Sequence, residues 1–427
     1  MKKILALVLA LLMVATLFAA CGGGNTPAPS GDGSGTTTDS DPFGGEDNIT
    51  LKVWAPEKAK ELTEKQCADF IAQYPNKTIS IEVVAQGEGD AASALLNDPD
   101  TAADVFSFPV DQLNKLVRAG VIAEVFDTYL DDVKARNSEF TVDAATLNGT
   151  TWAFPETGEN GYYLVYDKSV VSDEQAKTLE GILQACRDAG RKFIMDAGNG
   201  FYSCVFPFTG GMTLEGLNEQ GVQQFNAYNE DEVVASLAAF SALFHEYSDI
   251  FESNASDKIA SGMAEATPTV AAGIDGSWNA ATVEGVLGAN FGAAKLPTIK
   301  VNGQDKQLVS LNGCKLIGVN MSSKFLDAAQ LLANYLTSEE CQQQRAEEIS
   351  WLPSNIEAAK CEAVSKNAAL SALLAQTEFS VPQVNMADTF WSPMGALGDA
   401  VWKTENSSDA AFLKGEFEKC IANIKDE

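Results

Sequence analysis

Residues 49–85 read ITLKVWAPEKAKELTEKQCADFIAQYPNKTISIEVVA. Ile49-Thr50-Leu51-Lys52-Val53-Trp54 opens the stretch with the β-branched and large apolar side chains that suit a pleated, half-buried strand. From Glu57 to Tyr74 the residues are mostly helix formers, and from Ile79 to Ala85 the strand composition returns. Strand, helix, strand in that order is the repeating unit of a largely parallel sheet covered by helices. The same grammar continues outward. Strands are expected at Ala103–Phe108, Tyr162–Tyr166 and Lys192–Met195, and helices at Val233–Tyr247 and Lys324–Ser338, the last with Ser322 and Ser323 as caps. No internal repeat with a period of about 20 to 50 residues interrupts the pattern. The fold class is α/β.

At the N-terminus Lys2 and Lys3 precede an apolar run from Ile4 to Phe18, followed by Ala19, Ala20 and Cys21. A short apolar run behind positive charge, ending in small residues, has the form of a signal peptide, and it is too short for a mature membrane span. Residues 1–20 are therefore expected to be removed. Gly22 to Glu46 is rich in Gly, Ser, Thr, Pro and Asp and carries almost nothing to bury, so residues 21–47 are expected to form a flexible tether. A coil of that length spans about 25–30 Å on average, enough to hold a domain just off a surface.

The remaining chain, roughly 380 residues, is of a size that favours two globular lobes over one. The formal charge of the whole chain, −30, disfavours nucleic acid and anionic lipid as partners and is what a soluble, surface-displayed protein tolerates well. Apart from Cys21 there are seven cysteines, an odd number in a chain large enough to hold itself together without cross-links. Cys67, Cys186 and Cys341 fall in helix-like segments, where a buried small hydrophobe is the expected role, and few or no disulfides are expected.

Catalytic signatures are sparse. The single histidine, His245, sits in a helical pattern; there is no His/Cys cluster at metal spacing, no phosphate-cradling Gly-x-x-x-x-Gly-Lys loop and no Gly-x-Ser-x-Gly elbow. Neither a cofactor nor a metal is expected. A two-carboxylate glycoside hydrolase stays open, because 59 acidic residues leave room for such a pair. What stands out instead is a set of aromatic residues beside Gly, Pro or polar neighbours: Phe108-Pro109, Phe201-Tyr202, Gly276-Ser277-Trp278 and Phe390-Trp391-Ser392-Pro393. Rings on loops can serve as binding platforms. A pyranose offers an apolar C–H face to such a ring, while its hydroxyls need amide or ionised acceptors. Trp54, inside the opening strand, is expected in the core or at a cleft edge.

Several segments, in order and spacing, resemble one family. They are Leu51-Lys52-Val53-Trp54; Ala103 to Phe108 with Leu116 to Glu124; Leu147 to Pro155 leading to Leu164-Val165-Tyr166-Asp167-Lys168; Ala272 to Trp278; Lys295-Leu296-Pro297; and Pro382 to Met386 with Phe390-Trp391. The chain resembles the extracellular solute-binding proteins of carbohydrate ABC transporters, most of all the maltose/maltodextrin-binding proteins. The resemblance implies a two-lobe, periplasmic-binding-protein-like fold of type II, with a hinge crossed three times and a ligand cleft between the lobes. By position the crossings fall near Pro155–Asn160, Leu311–Cys314 and Ser350–Ser354. One lobe would then comprise 48–155 plus 313–352, the other 160–310 plus 355–427. The residues before Cys21 resemble a lipobox, which implies lipidation of Cys21 and an anchor on the outer face of the bacterial cell membrane.

The resemblance also implies a site. Phe108 lies where the family has a stacking aromatic and Asp111 where it has a sugar-binding carboxylate, with Gln112 in place of the neighbouring arginine. Glu159 matches another hydroxyl-binding carboxylate, with Glu156 as the alternative. Phe201 and Tyr202 match an aromatic platform in the second lobe, preceded by Asn199 where an acidic residue is expected, and Trp278 and Trp391 match further stacking positions. Glu57 and Lys58 occupy the opening turn, which departs from the family's polar loop. Three or four rings along a cleft suit an extended oligosaccharide, hence a maltodextrin. The implied partners are that sugar, the membrane permease subunits of an ABC importer, and the membrane through the lipid on Cys21; no enzymatic activity is implied. A secreted carbohydrate-active enzyme and a chemosensory sugar-binding protein are the alternatives.

Overall fold

The computed structural model describes residues 41–403 and 409–425, apart from 219 and 254. The expected signal peptide, Cys21 and the tether up to residue 40 lie outside the described residues.

Ten strands build two five-stranded sheets: β1 Asn48–Ala55, β2 Thr78–Ala85, β3 Val105–Pro109, β4 Phe154–Pro155, β5 Tyr162–Asp167, β6 Lys192–Ile194, β7 Phe251–Glu252, β8 Val270–Gly276, β9 Phe291–Ala294 and β10 Lys315–Val319. The first sheet has the order β2-β1-β3-β10-β4, with β1 parallel to β2 and β3 and with β10 antiparallel to its neighbours. The second has the order β7-β6-β8-β5-β9, parallel from β7 to β8 and antiparallel thereafter. Each sheet is covered on both faces. In β5, Tyr162, Leu164 and Tyr166 face one apolar cluster while Tyr163 and Val165 face another, so the period-2 side-chain alternation feeds two cores. A strand buried on both sides reads as an unbroken apolar run, which is what YYLVY is.

The chain passes from the first sheet to the second after β4, returns before β10, and crosses once more to helices packed on the second sheet; these passages are bonded to one another. Glu156 and Thr157 both donate backbone N–H groups to the Lys315 carbonyl, and the Thr157 hydroxyl accepts from Lys315 N–H at 2.9 Å. Gly158 N–H donates to the Leu352 carbonyl at 2.7 Å. A side chain at 158 is excluded here, because its Cβ would lie 2.5 Å from the Pro353 carbonyl oxygen.

Five helices frame the space between the sheets: α1 Glu57–Ala72, α2 Glu88–Asn97, α3 Leu113–Ala119, α4 Gly200–Ser203 and α5 Trp391–Trp402. Two local expectations are corrected. The tether does not run free to residue 47: Phe43 is buried against Phe70 and Tyr74, and Lys77 pairs with Asp41 and Asp47, because one large ring is enough to dock the segment on α1. Neither Ser322 nor Ser323 is the cap residue of the helix Leu326–Leu336, which begins after Phe325; Ser323 instead donates to Asp104 at 2.6 Å. The seven described cysteines are unpaired, and all but Cys361 are buried.

Candidate functional site

Between the sheets lies a cavity of about 460 Å³. The wall from the first sheet is mainly polar: Glu88 and Gly89 at the start of α2, Pro109 at the end of β3, and Asp111 and Gln112 in the turn after it. From the second come Phe201, Trp278 and Trp391, with the amides of Asn199 and Gln383; Asn160 sits in the first passage.

Each ring reaches the cavity from the start of a helical turn. Phe201 is the second residue of α4, whose first turn is capped by Asn199: its side-chain oxygen accepts from Phe201 N–H at 2.9 Å. Asn199 thus does the work of a cap where a carboxylate was expected. Trp391 opens α5, and the close approach of α4 to α5 requires glycine, since a Cβ at Gly200 would sit 2.2 Å from the Trp391 carbonyl oxygen. Trp278 lies in a 3₁₀ turn directly after β8, its indole folded over Gly276, where a Cβ would come within 2.1 Å of the ring. Phe201 is the middle of the group, 6.0 Å from Trp278 and 6.4 Å from Trp391 between ring centroids, and it is held edge-on against Tyr162 at 5.0 Å. All three remain partly exposed.

On the opposite wall Asp111 has one carboxylate oxygen shut off from solvent and without a hydrogen-bond partner. Burial pushes its pKa up to about 7, with Asp388 across the cleft adding to the rise and Lys115 opposing it. An unpartnered buried acceptor is costly, so a ligand hydroxyl donating to it would relieve that cost. Gln112 is a brace. Its amide donates to the Gly89 carbonyl at 2.7 Å and its oxygen accepts from Ala92 N–H at 3.0 Å, which ties the turn after β3 to the start of α2. Lys58, on α1, donates from Nζ to the Trp278 carbonyl and so bridges the two walls; burial lowers its pKa, against the pull of Asp275.

Of the residues singled out from the sequence, Asp111, Phe201, Trp278 and Trp391 meet at this cavity. Three do not. Phe108 is 0% exposed and packs 5.3 Å from Phe106 in the core. In a strand, residues two apart share a face, so Phe108 follows Phe106 inward, into space that Gly318 leaves on β10. Tyr202 is buried in the second lobe's core, 5.0 Å from Tyr162 and edge-on behind Phe201 at 5.4 Å, and does not line the cavity. Glu159 is buried in the first passage, where it accepts from Gly161 N–H at 2.9 Å; burial raises its pKa against that bond. The alternative, Glu156, is also buried, accepting from the Ser107 hydroxyl and lying 3.6 Å from Arg345. The sequence reading missed Glu88, Asn160 and Gln383. Glu88 had a signal: a carboxylate between Gly87 and Gly89, just past a strand's carboxyl end.

Residues 65–372 match the family model described as bacterial extracellular solute-binding protein. Among curated proteins, a maltooligosaccharide ABC transporter solute-binding lipoprotein of Streptococcus pneumoniae is 24% identical over 419 residues, covering 93% of this chain and 92% of the relative. Among solved structures, the ligand-free maltodextrin-binding protein of L. casei BL23 superposes with a TM-score of 0.76 at 24% identity, over 89% of this chain and 100% of that one. The Thermus thermophilus maltotriose-binding protein, solved with maltotriose, gives 0.70 at 17% identity over 88% and 99%. These likenesses carry the two-lobe fold of type II.

Proposed function

The chain belongs to the bacterial extracellular solute-binding proteins, and from that membership we propose that it captures an oligosaccharide, a maltodextrin, and delivers it to an ABC importer. The observation that carries the sugar class is the arrangement of the two walls: three contiguous, partly exposed rings face carboxylates and amides across about 460 Å³. That geometry serves a ligand with an apolar face and many hydroxyls. The named relatives bind maltooligosaccharide, maltodextrin and maltotriose, which favours α-linked glucosyl chains over other glycans.

In this reading Trp278, Trp391 and Phe201 stack on sugar faces, and Asp111 accepts a hydroxyl. Because ligand touches both walls it favours the closed arrangement, which permease subunits distinguish from the open one. The lipid on Cys21 would hold the protein at the outer face of the membrane, in keeping with the pneumococcal relative's being named a lipoprotein. It acts by binding and release, without turnover of the sugar.

Titration of the mature protein with maltose, maltotriose, longer maltodextrins and unrelated oligosaccharides, read by tryptophan fluorescence and calorimetry, tests this. A micromolar dissociation constant, about −8 kcal/mol, is expected for maltodextrins alone. Millimolar binding across the whole panel, or steady release of reducing ends, would overturn it.

A further inference from the structure

Where the three passages meet, the protein buries charges that ring stacking does not require. None of Lys315, Glu156, Glu159 and Arg345 is more than 4% exposed. Removing an ion from water costs several kcal/mol, and a buried pair is weak evidence for stability, so such a cluster calls for another account.

Lys315 is its centre. Its backbone bonds Glu156 and Thr157 of the first passage, and its own strand follows the second. Its ammonium lies 3.9 Å from the ring centroid of Trp351, in the third passage. The same ammonium is 3.1 Å from Glu88 Oε1, and Glu88 lines the ligand cavity, which Lys315 does not. One residue therefore links the passages to the polar wall of the cleft: its backbone is bonded to the first and continues from the second, and its side chain meets the third and Glu88. Gln112 fixes the backbone on either side of that contact, accepting and donating at Glu88, Gly89 and Ala92.

We propose that Lys315 is a positioning residue for ligand capture: it aims the Glu88 carboxylate into the cavity and ties the grip of the first lobe on the sugar to the hinge. The inference rests on the carbohydrate reading above. With both partners in place the carboxylate is held in one direction before ligand arrives, so binding does not have to order it.

The test is a double-mutant cycle on maltotriose affinity, with K315M, E88Q and K315M/E88Q, and K315R as the charge-preserving variant. Each single change is expected to weaken binding about tenfold, as loss of one charge-assisted hydrogen bond does. The double variant is expected to bind no worse than E88Q, and K315R to restore most of the loss. Should K315M fold poorly on its own, the comparison of E88Q with K315M/E88Q still decides, since equal dissociation constants are expected there. Additive losses, or a lowered melting temperature with unchanged affinity in K315M, would overturn the proposal alone. A wild type silent toward every oligosaccharide would instead remove the carbohydrate reading.

Discussion

The two walls of the cleft are built on different principles. The second lobe presents rings from helix starts and a 3₁₀ turn: Phe201, Trp278 and Trp391, each beside a glycine or a cap that fixes its direction. The first lobe presents acceptors, Glu88 and Asp111, and keeps its own aromatic, Phe108, in the core. A ring on a strand is committed to a sheet face by its neighbours two residues away. At the start of a helical turn it is free of that alternation. The same residue type, equally close to a proline or glycine in sequence, thus ends in opposite environments.

The sharpest way to break this contrast is F108A. If Phe108 is core, truncation costs about 3–5 kcal/mol of stability in denaturant unfolding while the folded protein keeps its sugar affinity. A loss of affinity with full stability would return Phe108 to the cleft. W278A and W391A should behave the other way, each losing about 1–3 kcal/mol of binding by calorimetry with little change in melting temperature.

Asp111 sharpens the polar side of the comparison through pH. Its folded pKa is about 7 against an ordinary 3.8, so the buried carboxyl is better tolerated protonated. Ligand-free stability therefore falls as pH rises from 3.8 to about 7. Ligand acts in the opposite sense: the ionised form of Asp111 is the stronger acceptor for a sugar hydroxyl, so affinity should improve, by up to about tenfold, between roughly pH 6 and pH 8. D111N should flatten both profiles, and a pH-independent wild-type affinity would dismiss Asp111 as an acceptor. The smallest effect is expected from K58M, which removes the bond from Lys58 to the Trp278 carbonyl across the walls. Partly exposed, it should cost about 0.2–1 kcal/mol of affinity in the same titration.

Much of the fold was legible. The strand at 48–55 and the helix after it lie where the β-branched run and the helix formers place them, and the strand expected at Tyr162–Tyr166 is there, buried on both faces. The site was legible only in part. Trp278 and Trp391 stand next to turn residues, and that local signal led to the cavity. The pair Phe201-Tyr202 carried one signal for two fates, because adjacent residues of a helix point about 100° apart and only one can face the cleft. Glu159, with Glu156 as the alternative, matches a hydroxyl-binding carboxylate by position, but both are buried where the passages meet.

By itself the sequence determined the alternation of strands and helices, the secretion signal expected at its N-terminus, the acidic balance and which aromatics stand beside Gly, Pro or polar residues, since all of these follow from composition and local spacing. Only the tertiary structure decided which carboxylates meet the cavity and which meet Lys315 and Arg345 at the passages. Glu88, Glu156 and Lys315 are separated by 68 and 159 positions in the chain. What brings them together is the crossing of the lobes, and no pattern within a window of neighbouring residues encodes it.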